Sequence, residues 1–344
     1  MTLKEKRPLP TSKGTKATHR TGLGAGKYDG IVEHLQVLLE LEARTQYSPC
    51  LDYLTVVPGP GGFSNESITD DGRCKMCEWC YNIVDHYDVD REVVSIAMNY
   101  LDRYVANKKA KATDGTYISN LDFQLLSVTS LFLATKLHGD FTVGKHGRKI
   151  KLHVNMFADL TGGRFSASDI EASELAILFD LDWLTHPPTT IKFVHSFIKL
   201  IPDRTTAGRL LVHPRALVEL FEIARFLTEL SACAGYISIN FRPSVIAFAA
   251  VLCALNELDG DVFALKNDVR LKFLSNVKAA TNLVPGMDDV DEVKSRLSDA
   301  RFQSNTCCSY PGALEKVPVS GSMSPVCVID GIKCEKKRRR VTLI

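Results

Sequence analysis

Hydrophobic positions recur along most of this chain at spacings of three and four, the period of a helix that buries one face. Tyr28–Gln46 carries Ile31, Leu35, Leu38, Leu39 and Leu41 in that rhythm and is expected to form one amphipathic helix. Val57–Asp71 contains PGPGG and reads as a loop, after which helices separated by short breaks are predicted. The first covers roughly Asp71–Tyr87. The second opens at Asp90, whose carboxylate can cap free N–H groups, and gathers Val93, Val94, Ala97, Met98 and Leu101. The third runs from Ser119 or Asn120 to His138 and is apolar on nearly every face (Phe123, Leu125, Leu126, Val128, Leu131, Phe132, Leu133, Leu137), as a central buried helix is. A loop over His138–Lys151, a short helix near Val154–Leu160 and a fifth helix from Ser166 or Ser168 to Leu184 follow. Pro187-Pro188 ends the series, because proline lacks the N–H donor and pushes its predecessor out of helical conformation.

The same rhythm then resumes over Thr189–Leu200, His213–Ser231, Arg242–Leu258 and about Val262–Ala280. Tyr236–Phe241 alternates like a strand but is too short and isolated to found a sheet. The fold class expected is all-α. The expected organisation is a basic disordered lead (1–27), a first helical repeat with a preceding helix (28–186), a second repeat (187–284) and a disordered polar tail (285–344).

Charge sharpens this division. The chain holds 42 Lys+Arg against 40 Asp+Glu, but residues 1–30 carry a net +5, residues 331–344 another +5, and residues 31–330 a net −8. An acidic body gives no nucleic-acid surface. No apolar run is long enough for a secretory signal or a membrane span, so neither is expected. Ten cysteines without such a signal point to a reducing compartment and free thiols. Cys74, Cys77 and Cys80 stand in a C-x2-C-x2-C run, but Val84 and Asp85 replace the Cys-Pro an iron–sulfur run would need, and no second zinc-ligand pair follows. Neither a metal nor any other cofactor is expected.

Catalytic patterns fail in the same way. In TGLGAGKYDG, Thr21 stands where a phosphate-binding loop needs Gly, and Tyr28 where it needs Ser or Thr. No nucleophile-elbow, zincin or kinase catalytic-loop pattern occurs. More telling are lone charges within apolar helices: Asp102 and Arg103 in AMNYLDRYV, Lys136 at the end of the apolar third helix, and Glu174 amid Ile170, Leu175, Ile177 and Leu178. A charge at a core edge is either paired internally or presented to a partner, because burying it alone costs several kcal/mol.

Taken together these residues resemble the cyclin box. An Arg six residues before a Trp (Arg73, Trp79), the Asp of an L-D-R motif (Asp102), a Leu and a Lys eleven apart (Leu125, Lys136) and a Glu in the fifth helix (Glu174) match its five hallmark positions. ARFLTELSACAG followed by RPSVIAFAAVLCAL resembles the second fold of kinase-activating cyclins, so the resemblance spans about residues 30–280. AMNYLDRY is similar to D-type members and the second repeat to A and B types; the L-x-C-x-E motif of many D-type members is missing.

The resemblance implies two tandem five-helix cyclin folds and a non-catalytic regulatory subunit that binds and activates a cyclin-dependent protein kinase to control cell-cycle progression. The alternative is a cyclin-fold transcription or adaptor protein without kinase activation. It further implies that Lys136 and Glu174 hydrogen-bond the kinase backbone, with Phe132, Leu133, Leu137 and Leu178 as apolar company, while Arg73 and Asp102 form an internal ion pair and Leu125 is part of the structural box. A substrate-docking groove would use Met76, Trp79, Gln124 and Asn82; here Gly72 and Lys75 replace apolar residues and Asn82 an acid, which removes a charge-assisted bond to a docking Arg. Lys336, Lys337, Arg338, Arg339 and Arg340 read as a nuclear localisation cluster, so a nuclear and in part cytoplasmic location is expected. Arg20 and Leu23 resemble a destruction box, which would engage ubiquitin-ligase machinery, although its usual terminal Asn is missing.

Overall fold

The computed structural model describes residues 25–54, 68–112, 118–139, 153–202, 211–258 and 265–307. Twelve α-helices and one short 3-10 turn make up their regular structure. They form two compact units. Asp52–Thr185 holds the first repeat; the described residues up to Leu51 join those from His186 onward around the second.

The first-repeat unit contains α2 (Asp70–His86), α3 (Glu92–Lys111), α4 (Asn120–His138), α5 (Val154–Leu160) and α6 (Ala167–Asp180). Polar caps start three of them. The Thr69 hydroxyl accepts from Gly72 N–H, and Ser119 with Asp122 and Ser166 with Asp169 form reciprocal capping boxes. Its hydrogen bonds from Ser166 hold the Asp169 carboxyl below the ordinary range. Asp90 accepts from Glu92 N–H at 2.8 Å at the head of α3. Central α4 packs against α2, α3, α5 and α6, and its Phe123, Val128, Leu131 and Leu133 are excluded from solvent.

The second-repeat unit contains α7 (Thr190–Lys199), α8 (Pro214–Cys233), α9 (Gly235–Asn240), α10 (Pro243–Glu257), α11 (Asn267–Thr281) and α12 (Asp288–Cys307). It also takes in α1 (Ala25–Ala43). The chain order attaches this helix to the repeat it precedes; the structure places it elsewhere. Leu35 and Leu38 enter the same core as Phe193, Phe197, Val251 and Phe273. Glu42 accepts from the Ser244 N–H and hydroxyl, both at 2.6 Å, and so caps the first turn of α10 with a carboxylate. Sequence adjacency does not decide which core an amphipathic helix joins; the complementary surface does.

Tyr236–Phe241 founds no sheet, as expected; it is helical over Gly235–Asn240, with Ile237 and Ile239 buried. One other expectation is corrected. The stretch after Pro285, expected to be a disordered tail, forms α12 as far as Cys307. Val290, Val293 and Leu297 are fully buried against α8 and α10, a stripe too narrow to stand out in a segment dominated by Asp, Glu, Lys, Arg and Ser. Arg20, Leu23 and Lys336–Arg340 lie outside the described residues.

Candidate partner-binding site

The last turn of α4 meets the middle of α6. Lys136 Nζ donates to Glu174 Oε1 at 2.9 Å, with the lysine side chain 51% exposed and the glutamate 11%. Lys136 also lies 5.6 Å from the centroid of the Phe132 ring. A cation in the last turn is favoured by the helix dipole, which helps explain a lysine there. The lysine stands at the surface, while the Glu174 carboxylate that it neutralises is nearly buried.

Arg73 and Asp102 have the opposite character. Arg73 Nε donates to Asp102 Oδ1 at 2.8 Å and Nη2 to Oδ2 at 2.7 Å, with both side chains buried. Tyr53, which the sequence did not single out, donates its hydroxyl to the same Oδ1 at 2.7 Å. Burial works against the Arg73 charge, but Asp102 more than restores it, so its pKa rises. Burial first, and then the Asp102 charge, push the Tyr53 phenol well above its ordinary value. These three residues tie α2 and α3 to the segment before them. The expected internal ion pair is present and carries a third member.

The end of α6 is fixed from α3 and α4. Arg103 Nη1 donates to the Leu184 carbonyl at 2.9 Å, while His138 Nε2 lies 2.8 Å from the Thr185 carbonyl, to which the Tyr100 hydroxyl also donates. Asp180 accepts from Asn107 at 2.9 Å and Lys111 at 2.8 Å. Tyr100, Arg103 and Asn107 recur at three and four along α3, so a polar stripe within an apolar helix was the available signal.

The apolar residues assigned as company to the pair divide sharply. Phe132, Leu133 and Leu178 belong to the core, and only Leu137 is exposed. The large apolar side chains exposed on α6 and just after it are Leu175, Phe179 and Trp183, none of which the sequence assigned to the site. Leu125 is half-buried on α4. The docking-groove residues Met76, Trp79 and Gln124 are 0%, 4% and 1% exposed, and only Asn82 faces solvent, so these side chains form no open groove in this conformation. Both polar atoms of the Gln124 amide lack a hydrogen-bond partner among the described residues. Cys77 and Cys80 are core residues, while the Cys74 thiol contacts Glu78, whose carboxyl is pushed up by burial and drawn back in part by that contact. No described helix is long and apolar enough to cross a membrane.

Two family models match the chain: cyclin, N-terminal domain, over residues 35–186, and cyclin, C-terminal domain, over residues 188–289. Cyclin-A3-3 of Arabidopsis thaliana is 24% identical over 219 residues, covering 64% of this chain and 57% of the relative. Cyclin-D1-1 of the same plant is 26% identical over 221 residues, covering 63% and 56%. The chain thus spans about half the length of the curated relatives it matches. Among solved structures, a viral cyclin from herpesvirus saimiri aligns with a TM-score of 0.53 at 14% identity, over 78% of this chain and 97% of that one. At such low identity the likeness concerns the fold alone.

Proposed function

We propose, for a chain that belongs to the cyclin family, the function of a non-catalytic regulatory subunit that binds and activates a cyclin-dependent protein kinase and so controls cell-cycle progression. The observation that carries this reading is the Lys136–Glu174 pair, a half-exposed ammonium on a nearly buried carboxylate, with the exposed Leu137 next to Lys136 in the chain. A partner covering the pair can accept from Lys136 and donate to Glu174 through its own backbone, while apolar contacts around it exclude water and strengthen those bonds. Activation then follows from differential binding. The cyclin holds best the kinase conformation whose own Lys–Glu pair and metal-binding Asp are in place, and shifts the equilibrium toward it. No group of this chain enters the phosphoryl transfer in that scheme.

The finer assignments follow the same reading. The basic cluster Lys336–Arg340 serves nuclear import, and Arg20 and Leu23 serve turnover through a ubiquitin ligase. Recruitment of docking-motif substrates through Met76, Trp79 and Gln124 would require those side chains to be uncovered first.

Charge reversal tests the central claim. Lys136→Glu and Glu174→Lys are each expected to weaken kinase binding by about 2–5 kcal/mol, or roughly 30- to 5,000-fold, and to abolish activation in a kinase assay. Because the Glu174 side chain is nearly buried, a thermal melt of each free variant separates loss of fold from loss of binding. Wild-type activation by both variants would refute the assignment.

A further inference from the structure

Helices α10 and α12 pack against each other in the second-repeat unit. Cys253, Asn256 and Glu257 recur at three and four on the last turns of α10. Asp291, Lys294 and Ser298 recur in the same way on the flank of α12, beside its buried stripe of Val290, Val293 and Leu297. The two rows, with Ser295, line one cavity of about 520 Å³. Small-molecule sites occupy roughly 300–1,000 Å³.

Much of the charge around this cavity is already engaged. Glu257 accepts from Arg301, whose guanidinium also lies 5.7 Å from the centroid of the Phe226 ring. Asn256 Oδ1 accepts from Arg270 Nη2 at 2.6 Å, which leaves the Nδ2 group as a donor. Lys294 is held more loosely. Its Nζ lies 3.5 Å from Asp291 Oδ1, beyond the roughly 2.7–2.9 Å of a well-made charged hydrogen bond. Asp291 is 52% exposed in the first turn of α12, where the helix dipole already favours an acid. It can therefore yield the lysine at little cost. The half-buried Cys253 thiol lies 4.0 Å from the Lys294 carbonyl, which also accepts from the Ser298 hydroxyl at 2.9 Å. Burial pushes the Cys253 thiol up; the Lys294 charge is the foremost influence drawing it down, helped by Ser298 and Arg301 and opposed by Glu257. The charges around the sulfur thus favour an anion over it.

We propose that this cavity binds a phosphate monoester, held by Lys294 with Asn256 and Ser295 as neutral donors. A phosphoryl group has three terminal oxygens to satisfy, and one cation with two neutral donors meets them. A carboxylate offers only two. Glu257 and Asp291 line the same cavity and repel further negative charge, so a polyanion is rejected where a single phosphoryl group is accepted. The cavity is larger than a bare phosphate needs, and the remaining volume takes the organic part of the ester. That ester belongs either to a small molecule or to a phosphorylated side chain of a peptide; the chemistry recognised is the same. The site lies wholly within the second-repeat unit, and Lys136 and Glu174 within the first, so it does not rest on the kinase-binding reading.

The test titrates the full-length chain by calorimetry with O-phosphoserine, with a pentapeptide carrying a central phosphoserine, and with inorganic phosphate. Alkylation of Cys253 by N-ethylmaleimide, followed by peptide mass spectrometry, reports on the cavity itself. A bound anion covers the thiol and disfavours its thiolate, so the reaction slows. At least one ester is expected to bind with a Kd below about 1 mM and to slow that alkylation about threefold or more. Lys294→Gln should weaken binding about tenfold or more, while Lys272→Gln, at an exposed position of α11, should leave it within about twofold. Binding of the pentapeptide about tenfold tighter than O-phosphoserine identifies a phosphorylated partner; comparable binding identifies a small molecule. The proposal is overturned if neither ester binds, if binding survives Lys294→Gln, or if Lys272→Gln weakens it as much. It is overturned equally if Cys253 alkylation is unchanged, or if inorganic phosphate binds as tightly as either ester, which would mark an adventitious ion only.

Discussion

Each unit is organised around one helix buried on almost every side, α4 in the first-repeat unit and α10 in the second. Their interiors differ. α10 is filled by small and medium apolar side chains, with Ala247, Ala249, Ala250 and Ala254 fully buried next to Phe248 and Val251, and its N-terminus takes a carboxylate cap from Glu42. α4 buries Gln124, Ser127, Thr129, Ser130 and Thr135 among its apolar residues. Ser127 and Thr135 bond back to carbonyls four residues earlier, whereas the Gln124 amide and the Thr129 and Ser130 hydroxyls find no partner among the described residues. An unsatisfied buried polar group costs about 1–3 kcal/mol. The helix that carries the partner-binding lysine is thus the less optimised of the two, although both units leave large apolar side chains in water, Val218 and Leu271 in the second as Leu175 and Phe179 in the first.

The largest expected effect breaks the first-repeat unit at its ion pair. Arg73→Ala leaves the Asp102 carboxylate buried without its counter-charge and should destabilise the unit by about 3–5 kcal/mol. Trp79 and Trp183 are the chain's two tryptophans and both lie in that unit, so their fluorescence during urea unfolding follows it selectively. Next, Leu297→Ala removes a fully buried side chain of α12 and should cost about 2–5 kcal/mol, read by circular dichroism. A loss under about 0.5 kcal/mol would mean that α12 is not part of the second core.

Gln124→Met sharpens the comparison from the other direction. It replaces an amide with no partner by an apolar side chain of similar length, and should raise the tryptophan-monitored stability by about 1–3 kcal/mol. The same logic applied to α10 has no target, since Ser244 is fully bonded to Glu42. The smallest effect concerns pH. The Tyr53 phenol titrates higher in the folded chain than in the unfolded one, because burial and Asp102 disfavour its anion. Its contribution is fully present below about pH 10, the unfolded phenol value, and is lost as pH rises toward the folded value. Above pH 10, stability of the first-repeat unit should fall by up to about 1.4 kcal/mol per pH unit from this group. Tyr53→Phe should flatten that slope without removing it, since Tyr87 and Tyr104 in the same unit are also shifted upward by burial.

Much of this was written in the order of residues. Spacings of three and four located the helices of both repeats, and Ser119 and Ser166 marked two helix starts through the same hydroxyls that cap them in the structure. The internal pairing of Arg73 with Asp102 and the surface position of Lys136 were legible because a charge among apolar neighbours has few tolerable fates. The apolar side chains around Lys136 were not. α4 is apolar nearly all round, so its period cannot say which face meets α6, and Phe132 and Leu133 proved to be core. Trp183 was hidden for another reason: nothing local announces that a tryptophan will adopt a left-handed backbone.

The sequence by itself determined an all-α chain of two similar repeats, their caps and breaks, and the charges that had to be paired or presented. These are consequences of local backbone sterics and of the cost of burying charge, which act residue by residue. Only the tertiary structure decided that α1 belongs with the second repeat, that a charged segment supplies α12, and which apolar residues remain in water. Those outcomes depend on which surfaces match across long stretches of chain. Packing complementarity is a property of pairs of elements, and no single segment encodes it.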